Sequence, residues 1–248
     1  MKIASIAAAI SLLTMQAVQA ADIRVFCTGA ARSAYEELAP QFEKAAGHKL
    51  ITTFGLPSEL VKKLDAGEPV DAIILSYDID RLVKQAKIVA GSSVVLGRTG
   101  VGVAVPAGAP KPAYNNADAL KRSLLGAKFI ATSGEGSSGQ YVLTLLDRLG
   151  IGAEVKPKIK SGASGQAAKL LAAKEVDFAV IGLPPVAGVA GIEWLGYLPD
   201  DLNSWLPFTG GVNVAAKEPE AAFALLTFLV TPAAAAVFKT KGLEPVTP

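Results

Sequence analysis

The sequence predicts an α/β protein with largely parallel sheets. Short apolar runs alternate along the chain with stretches of helical spacing. The junctions after those runs are rich in Gly, Ser and Pro, so strands end in tight turns that open helices. Alternation of this kind gives parallel strands joined by right-handed crossovers. Ligands of such sheets sit beyond the carboxyl ends of the strands.

The first unit is a strand over Ile23–Cys27, followed by a helix over Ala34–Ala46 with Leu38, Phe42 and Ala45 on one face. Leu50–Phe54 is the next strand. Gly55-Leu56-Pro57-Ser58 then opens a helix over Glu59–Ala66, with Ser58 expected as its N-cap. Asp71–Leu75 is apolar enough to be covered on both faces, and Asp80–Ala86 reads as a helix. Val101–Val105 is a strand stopped by Pro106. Gly108 to Pro112 forms a rigid spacer, and Ala117–Leu125 is a helix.

Lys128–Ala131 is a short strand that runs into Gly134-Glu135-Gly136-Ser137-Ser138-Gly139-Gln140. Tyr141–Leu149 then has helical spacing with a stop at Gly150. The turn Ser161 to Gln166 precedes a helix over Ala167–Lys174 and echoes the same Ser-Gly-Gln ending. Asp177–Ile181 is a buried strand that ends in Gly182-Leu183-Pro184-Pro185. Phe208–Ala215 reads as a returning strand, and helices over Glu218–Leu229 and Ala233–Lys241 close the chain.

The Gly134–Gln140 turn carries the most chemistry. A strand that ends in Gly and Ser and opens a helix aims unpaired amides and hydroxyls at one spot, at the positive end of the helix dipole. The spacing Gly134-x4-Gly139 copies a nucleotide-binding loop. Gln140, however, stands where the phosphate-binding lysine would be, and Tyr141 where the Mg²⁺-binding hydroxyl would be. The turn is a cradle for a small anion rather than a nucleotide site.

Composition narrows the function further. Met1-Lys2, an apolar run to Ala17 and the small-x-small site Val18-Gln19-Ala20 read as a cleavable secretory leader over residues 1–20, so the mature protein is expected to be exported. The remaining chain of about 228 residues suits two modest lobes better than one small core. Formal charge is +2 with both signs interspersed, and no basic stripe alternates with aromatics, so nucleic acid is not an expected partner. Cys27 is the one cysteine and His48 the one histidine, which gives neither a zinc cage nor a thiol with its base. No G-x-S-x-G elbow occurs. No metal, no cofactor and no catalytic residue are expected.

Several landmarks now stand in a particular order: Phe26-Cys27-Thr28-Gly29-Ala30; Phe54 to Leu60 running on to Gly67-Glu68-Pro69-Val70-Asp71; Ser138-Gly139-Gln140-Tyr141; Val176 to Gly182; and Ala233 to Leu243. In that order and spacing, essentially the whole mature chain resembles the periplasmic solute-binding proteins of ABC importers, of the molybdate-binding type. The resemblance implies a two-lobe periplasmic-binding-protein fold of type II, with parallel-sheet lobes joined by two crossing strands that clamp a ligand. Lobe one is expected over 21–100 plus 214–248 and lobe two over 101–213. The crossings are expected near Thr99–Val103 and Val212–Ala215.

The same resemblance implies a set of ligand contacts. Molybdate binders of this type place a serine where this chain has Ala30 and a second where it has Pro57, with Ser58 adjacent. A backbone contact falls on Ser76, another near Gly136, and a tyrosine is matched by Gly182. Three side-chain donors are therefore missing, and each costs a buried oxyanion about 1–3 kcal/mol. The chain looks like a divergent member in which small organic acids become plausible ligands.

The residues expected at the ligand are Thr28, Gly29, Ala30, Arg32, Pro57, Ser58, Ser76, Arg98, Gly136, Ser137, Ser138, Gly139 and Gly182. Arg98 earns its place from Gly97-Arg98-Thr99-Gly100, where the chain is expected to cross the cleft floor, and Arg32 from the first loop. An arginine fork matches a carboxylate. The function expected is capture of a small anion, an organic carboxylate or an oxyanion, by a monomer that hands it to an ABC-importer permease. The alternatives are molybdate or tungstate binding proper, an anion-substrate enzyme on a related two-lobe scaffold, and a sensor subunit that docks on a kinase ectodomain.

Overall fold

A computed structural model describes residues 20–77, 79–162 and 165–246. The leader expected over residues 1–20 lies, apart from Ala20, outside the described residues. So does Asp78 of the loop expected at the end of the third strand.

The first sheet has strand order β2-β1-β3-β10-β4. Its strands are β1 (Asp22–Thr28), β2 (Lys49–Gly55), β3 (Ala72–Leu75), β4 (Val94–Thr99) and β10 (Leu206–Val212). β1 runs parallel to β2 and β3, whereas β10 is antiparallel to β3 and β4. Helices α1 (Arg32–Ala46), α8 (Pro219–Leu229) and α9 (Pro232–Thr240) cover one face. They bury Ile23, Val25, Leu38, Phe42, Leu225 and Phe238. Helices α2 (Pro57–Asp65) and α3 (Asp80–Lys84) cover the other over Phe26, Leu60, Ile73 and Ile79. Alternate residues of β1 thus face opposite cores, as the pleat requires.

The second sheet has order β7-β6-β8-β5-β9. It comprises β5 (Val101–Pro106), β6 (Ile130–Ala131), β7 (Ile159–Lys160), β8 (Phe178–Gly182) and β9 (Ile192–Tyr197). β6 is parallel to β7 and β8, and β5 is antiparallel to β8 and β9. Val101, Val103 and Val105 point into a core with α4 (Ala117–Gly126), α5 (Ser137–Arg148) and α6 (Gly152–Val155). Ala104, Ala131, Ala179 and Ile181 face α7 (Gln166–Ala172). The outcome is the two-lobe type II α/β fold. Both sheets are mixed rather than parallel, because the strands at the crossing run against their neighbours.

The chain passes from β4 to β5 through Gly100 and returns between Tyr197 and Leu206. Asn203 fastens the two passages together: its Oδ1 accepts the Val101 N–H at 2.8 Å. A Cβ on Gly100 would stand 2.7 Å from Asn203 Nδ2, so the close approach needs glycine. The return therefore falls before β10. Val212, expected at a crossing, instead pairs with Ala72 inside the first sheet.

Several helices start upstream of their expected positions, α1 at Arg32, α2 at Pro57 and α5 at Ser137 among them, whereas α3 and α4 start where expected. Pro57 takes the first position of α2, where its fixed φ and missing N–H cost nothing, so Ser58 is inside the helix and not its cap. The Leu56 N–H donates instead to the Glu59 carboxylate at 2.9 Å.

Candidate ligand site between the two sheets

The carboxyl ends of β1, β3 and β8 and the first turn of α5 converge on one cavity of about 40 Å³. β1 ends in the buried Thr28, after which Gly29–Ala31 form a 3-10 turn into α1. β3 ends just before Ser76. β8 ends in Gly182, and Pro184-Pro185 follow. α5 opens at Ser137 after the turn that starts at Ser133. Thr99, at the end of β4, and Leu206 and Phe208 of β10 complete the wall, with Leu56 and Pro57 at the start of α2.

The hydroxyls form a chain across the cleft. Ser76 Oγ lies 2.9 Å from Ser137 Oγ and 3.4 Å from Thr28 Oγ1. A second pair lines the turn: Ser133 Oγ is 2.8 Å from Ser138 Oγ and accepts the Gly139 N–H at 2.7 Å. The Gln140 N–H donates to Gly136 O at 3.0 Å, the first intrahelical bond of α5. The Ser137 and Ser138 amides precede it and have no intrahelical carbonyl to reach. Among the described residues neither amide has a hydrogen-bond partner, which leaves both open to an anion.

The rest of the wall is aliphatic or aromatic: Ala30, Leu56, Ala167, Ile181, Leu206 and Phe208, with three prolines. Every described lining residue is a hydroxyl, glycine, proline or apolar residue. None of them titrates in the physiological range.

Nine of the expected site residues line this cavity: Thr28, Gly29, Ala30, Pro57, Ser76, Gly136, Ser137, Ser138 and Gly182. Four do not. Ser58 reaches across the cleft to Glu135, Oγ to Oε2 at 3.2 Å, outside the wall. Gly139 lies behind the turn, where a Cβ would stand 2.1 Å from Gly134 O. Arg32 lines a neighbouring chamber, ion-paired to Glu36 at 3.1 Å with its guanidinium 3.9 Å from the Phe54 ring centroid.

Arg98 is exposed on the opposite side of β4, its guanidinium 4.4 Å from the Trp205 ring centroid. Its backbone is bonded to Glu244, with Arg98 N–H to Glu244 O at 2.8 Å. Strand alternation explains the miss: neighbouring residues face opposite sides, so Thr99 lines the cavity and Arg98 does not. Thr99, Ser133, Leu206 and Phe208 were not singled out beforehand.

Against this geometry, the sequence profile described as "Bacterial extracellular solute-binding protein" matches residues 23–244. The chain belongs to this family of bacterial solute-binding proteins. It is 30% identical over 231 residues to a protein named aconitate isomerase from Pseudomonas sp, covering 90% of this chain and 88% of that one. It is 28% identical over 235 residues to the molybdate-binding protein ModA of Azotobacter vinelandii, covering 91% of each. The structure of the Azotobacter vinelandii periplasmic molybdate-binding protein superposes with a TM-score of 0.74 at 19% identity, over 91% of this chain and 99% of that one. Ligands of α/β sheets sit beyond the carboxyl ends of the strands, and this cavity lies there.

Proposed function

We propose that this solute-binding protein captures a small organic carboxylate in the periplasm and delivers it to an ABC-importer permease. The observation that carries the reading is the two-sided cavity. One end offers the Thr28, Ser76 and Ser137 hydroxyls and the free amides of α5. The other is aliphatic, with Leu56, Ile181, Leu206 and Phe208. A carboxylate on a hydrocarbon body matches both ends. A tetrahedral oxyanion would leave some oxygens facing carbon, and each unpaired one costs about 1–3 kcal/mol.

Capture without turnover is supported by the family of solute-binding proteins to which the chain belongs and by the relatives named as molybdate-binding proteins. The relative named aconitate isomerase favours a second reading, in which a carboxylate is bound and then isomerised.

Calorimetry and thermal shift with molybdate, sulfate and mono-, di- and tricarboxylates decide the ligand. A carboxylate is expected to bind with micromolar or tighter affinity, roughly −8 kcal/mol or better. Tight molybdate binding with no carboxylate response would overturn the ligand class. Proton NMR of cis- and trans-aconitate incubated with the protein separates the readings. Interconversion that is abolished by Ser137→Ala would establish turnover.

A further inference from the structure

A second chamber of about 210 Å³ borders the inner cavity and shares Gly29, Ala30, Gly165, Pro184 and Pro185 with it. Residues of both lobes line this chamber: Arg32, Ser33 and Glu36 of α1 face Ala187 and Val189 beyond the double proline. The shared wall is made of two glycines, an alanine and two prolines, so no long side chain contributes to it.

Size is the first argument. One water occupies about 10–15 Å³ of such space, so about 40 Å³ admits a carboxylate and little more. A longer ligand must run outward, and the chamber beyond Ala30 is where it would go.

Charge is the second. Arg32 is the one cationic side chain among the described residues that line either chamber. It is held from two sides, over the Phe54 ring and bonded through Nη1 to Glu36. The Phe54 ring is fixed in turn by an edge contact with the buried Tyr35, centroids 5.7 Å apart. One Nη1 contact leaves most of the five donors of the guanidinium free. The fork is thus pre-positioned and under-used.

We propose that the ligand is a short di- or tricarboxylate, with one carboxylate on the inner hydroxyls and amides and a second in the outer chamber on Arg32. This rests on the carboxylate reading above and adds a charge count and a second subsite to it. Glu36 sets the strength of that subsite, because its carboxylate competes for the same fork and repels the incoming charge.

The experiment is calorimetry at low ionic strength on the mature chain with acetate, propionate, succinate, glutarate and tricarballylate. Wild type, Arg32→Gln and Glu36→Gln are compared, each first checked for an unchanged melting temperature. Succinate, glutarate or tricarballylate is expected to bind at least 10-fold more tightly than propionate. Arg32→Gln is expected to weaken that ligand by roughly 10- to 100-fold while leaving propionate unchanged, and Glu36→Gln to tighten it. If propionate binds as well as the longer acids, or Arg32→Gln weakens all carboxylates alike, the second subsite is wrong while the carboxylate reading stands. If no acid of the series binds, the carboxylate reading itself falls.

Discussion

Ser76 Oγ of the first lobe and Ser137 Oγ of the second lie 2.9 Å apart, so the lobes meet through hydroxyls at the candidate site. Each hydroxyl sits where its backbone must place it, Ser76 just beyond β3 and Ser137 at the first position of α5. A ligand seated there bonds groups from both lobes at once, which couples binding to closure. Ser76→Ala and Ser137→Ala are each expected to weaken the bound carboxylate by about 1–2 kcal/mol. The double variant is expected to lose less than the sum, because the two hydroxyls are hydrogen-bonded to each other. Calorimetry on the four proteins of the cycle checks both statements.

Gly139→Ala is expected to destabilise the second lobe by about 1–3 kcal/mol. The new Cβ would fall 2.1 Å from Gly134 O and 2.8 Å from Gly134 N, both backbone atoms that cannot swing away. Relief requires the turn to move. That would break the Gly139 N–H bond to Ser133 Oγ and shift the amides of Ser137 and Ser138. Urea denaturation and ligand titration should therefore report a joint loss of stability and affinity.

Much of this architecture was legible in the sequence, for reasons that individual elements make plain. Ala72–Leu75 and Phe178–Gly182 are buried on both faces, so they read as continuous apolar runs. The Gly134–Gln140 turn announced its helix by its glycines and serines. β4 and β9 were not recognised, and the cause is local. Gly97 interrupts one and Gly196 the other, and β9 is half-buried along its whole length, so no alternation marks it. The lining of the cavity was legible where strand and helix ends dictate it, at Thr28, Ser76, Ser137 and Gly182. It was not legible at Thr99, Leu206 and Phe208, which long-range pairing of β10 with β4 brings to the cavity.

Alkaline pH is expected to weaken the first lobe through two buried acids. Burial pushes the Cys27 thiol far above its ordinary range, and it raises the Tyr35 phenol in the same way. The folded state therefore keeps protons that the unfolded chain releases. Since the unfolded state binds fewer protons there, stability must fall as pH rises past the ordinary thiol value. Denaturation between about pH 7 and about pH 10 should show this slope. Cys27→Ala should flatten it by up to about 1.4 kcal/mol per pH unit, whatever its cost at neutral pH.

Asp71→Ala is expected to cost about 2–4 kcal/mol of stability with ligand affinity unchanged. The carboxylate is 2% exposed. Its Oδ2 accepts the Arg24 N–H at 2.8 Å, and its Oδ1 accepts the Lys217 and Glu218 N–H groups at 2.7 and 3.1 Å. It thereby ties β1 to the segment that leads into α8. Asp71 precedes β3 and Ser76 follows it, so the anchor and the ligand site lie at opposite ends of one strand. A variant that loses affinity without losing stability would contradict this division.

Arg98 and Thr99 make the sharpest contrast, because they are neighbours on one strand with opposite surroundings. Arg98→Ala removes an exposed guanidinium stacked on Trp205. Such contacts are worth about 0.5–1 kcal/mol of stability, and affinity should be unaffected. Thr99 is 2% exposed, lines the cavity, and donates its hydroxyl to Gly100 O at a long 3.3 Å. Thr99→Val keeps the shape and removes the hydroxyl, so it should weaken the ligand by about 0.5–1.5 kcal/mol with little effect on packing. Calorimetry on the two variants ranks them directly. If Arg98→Ala lost affinity and Thr99→Val kept it, the ligand would have to sit on the outer side of β4. The cavity between the sheets would then not be the binding site.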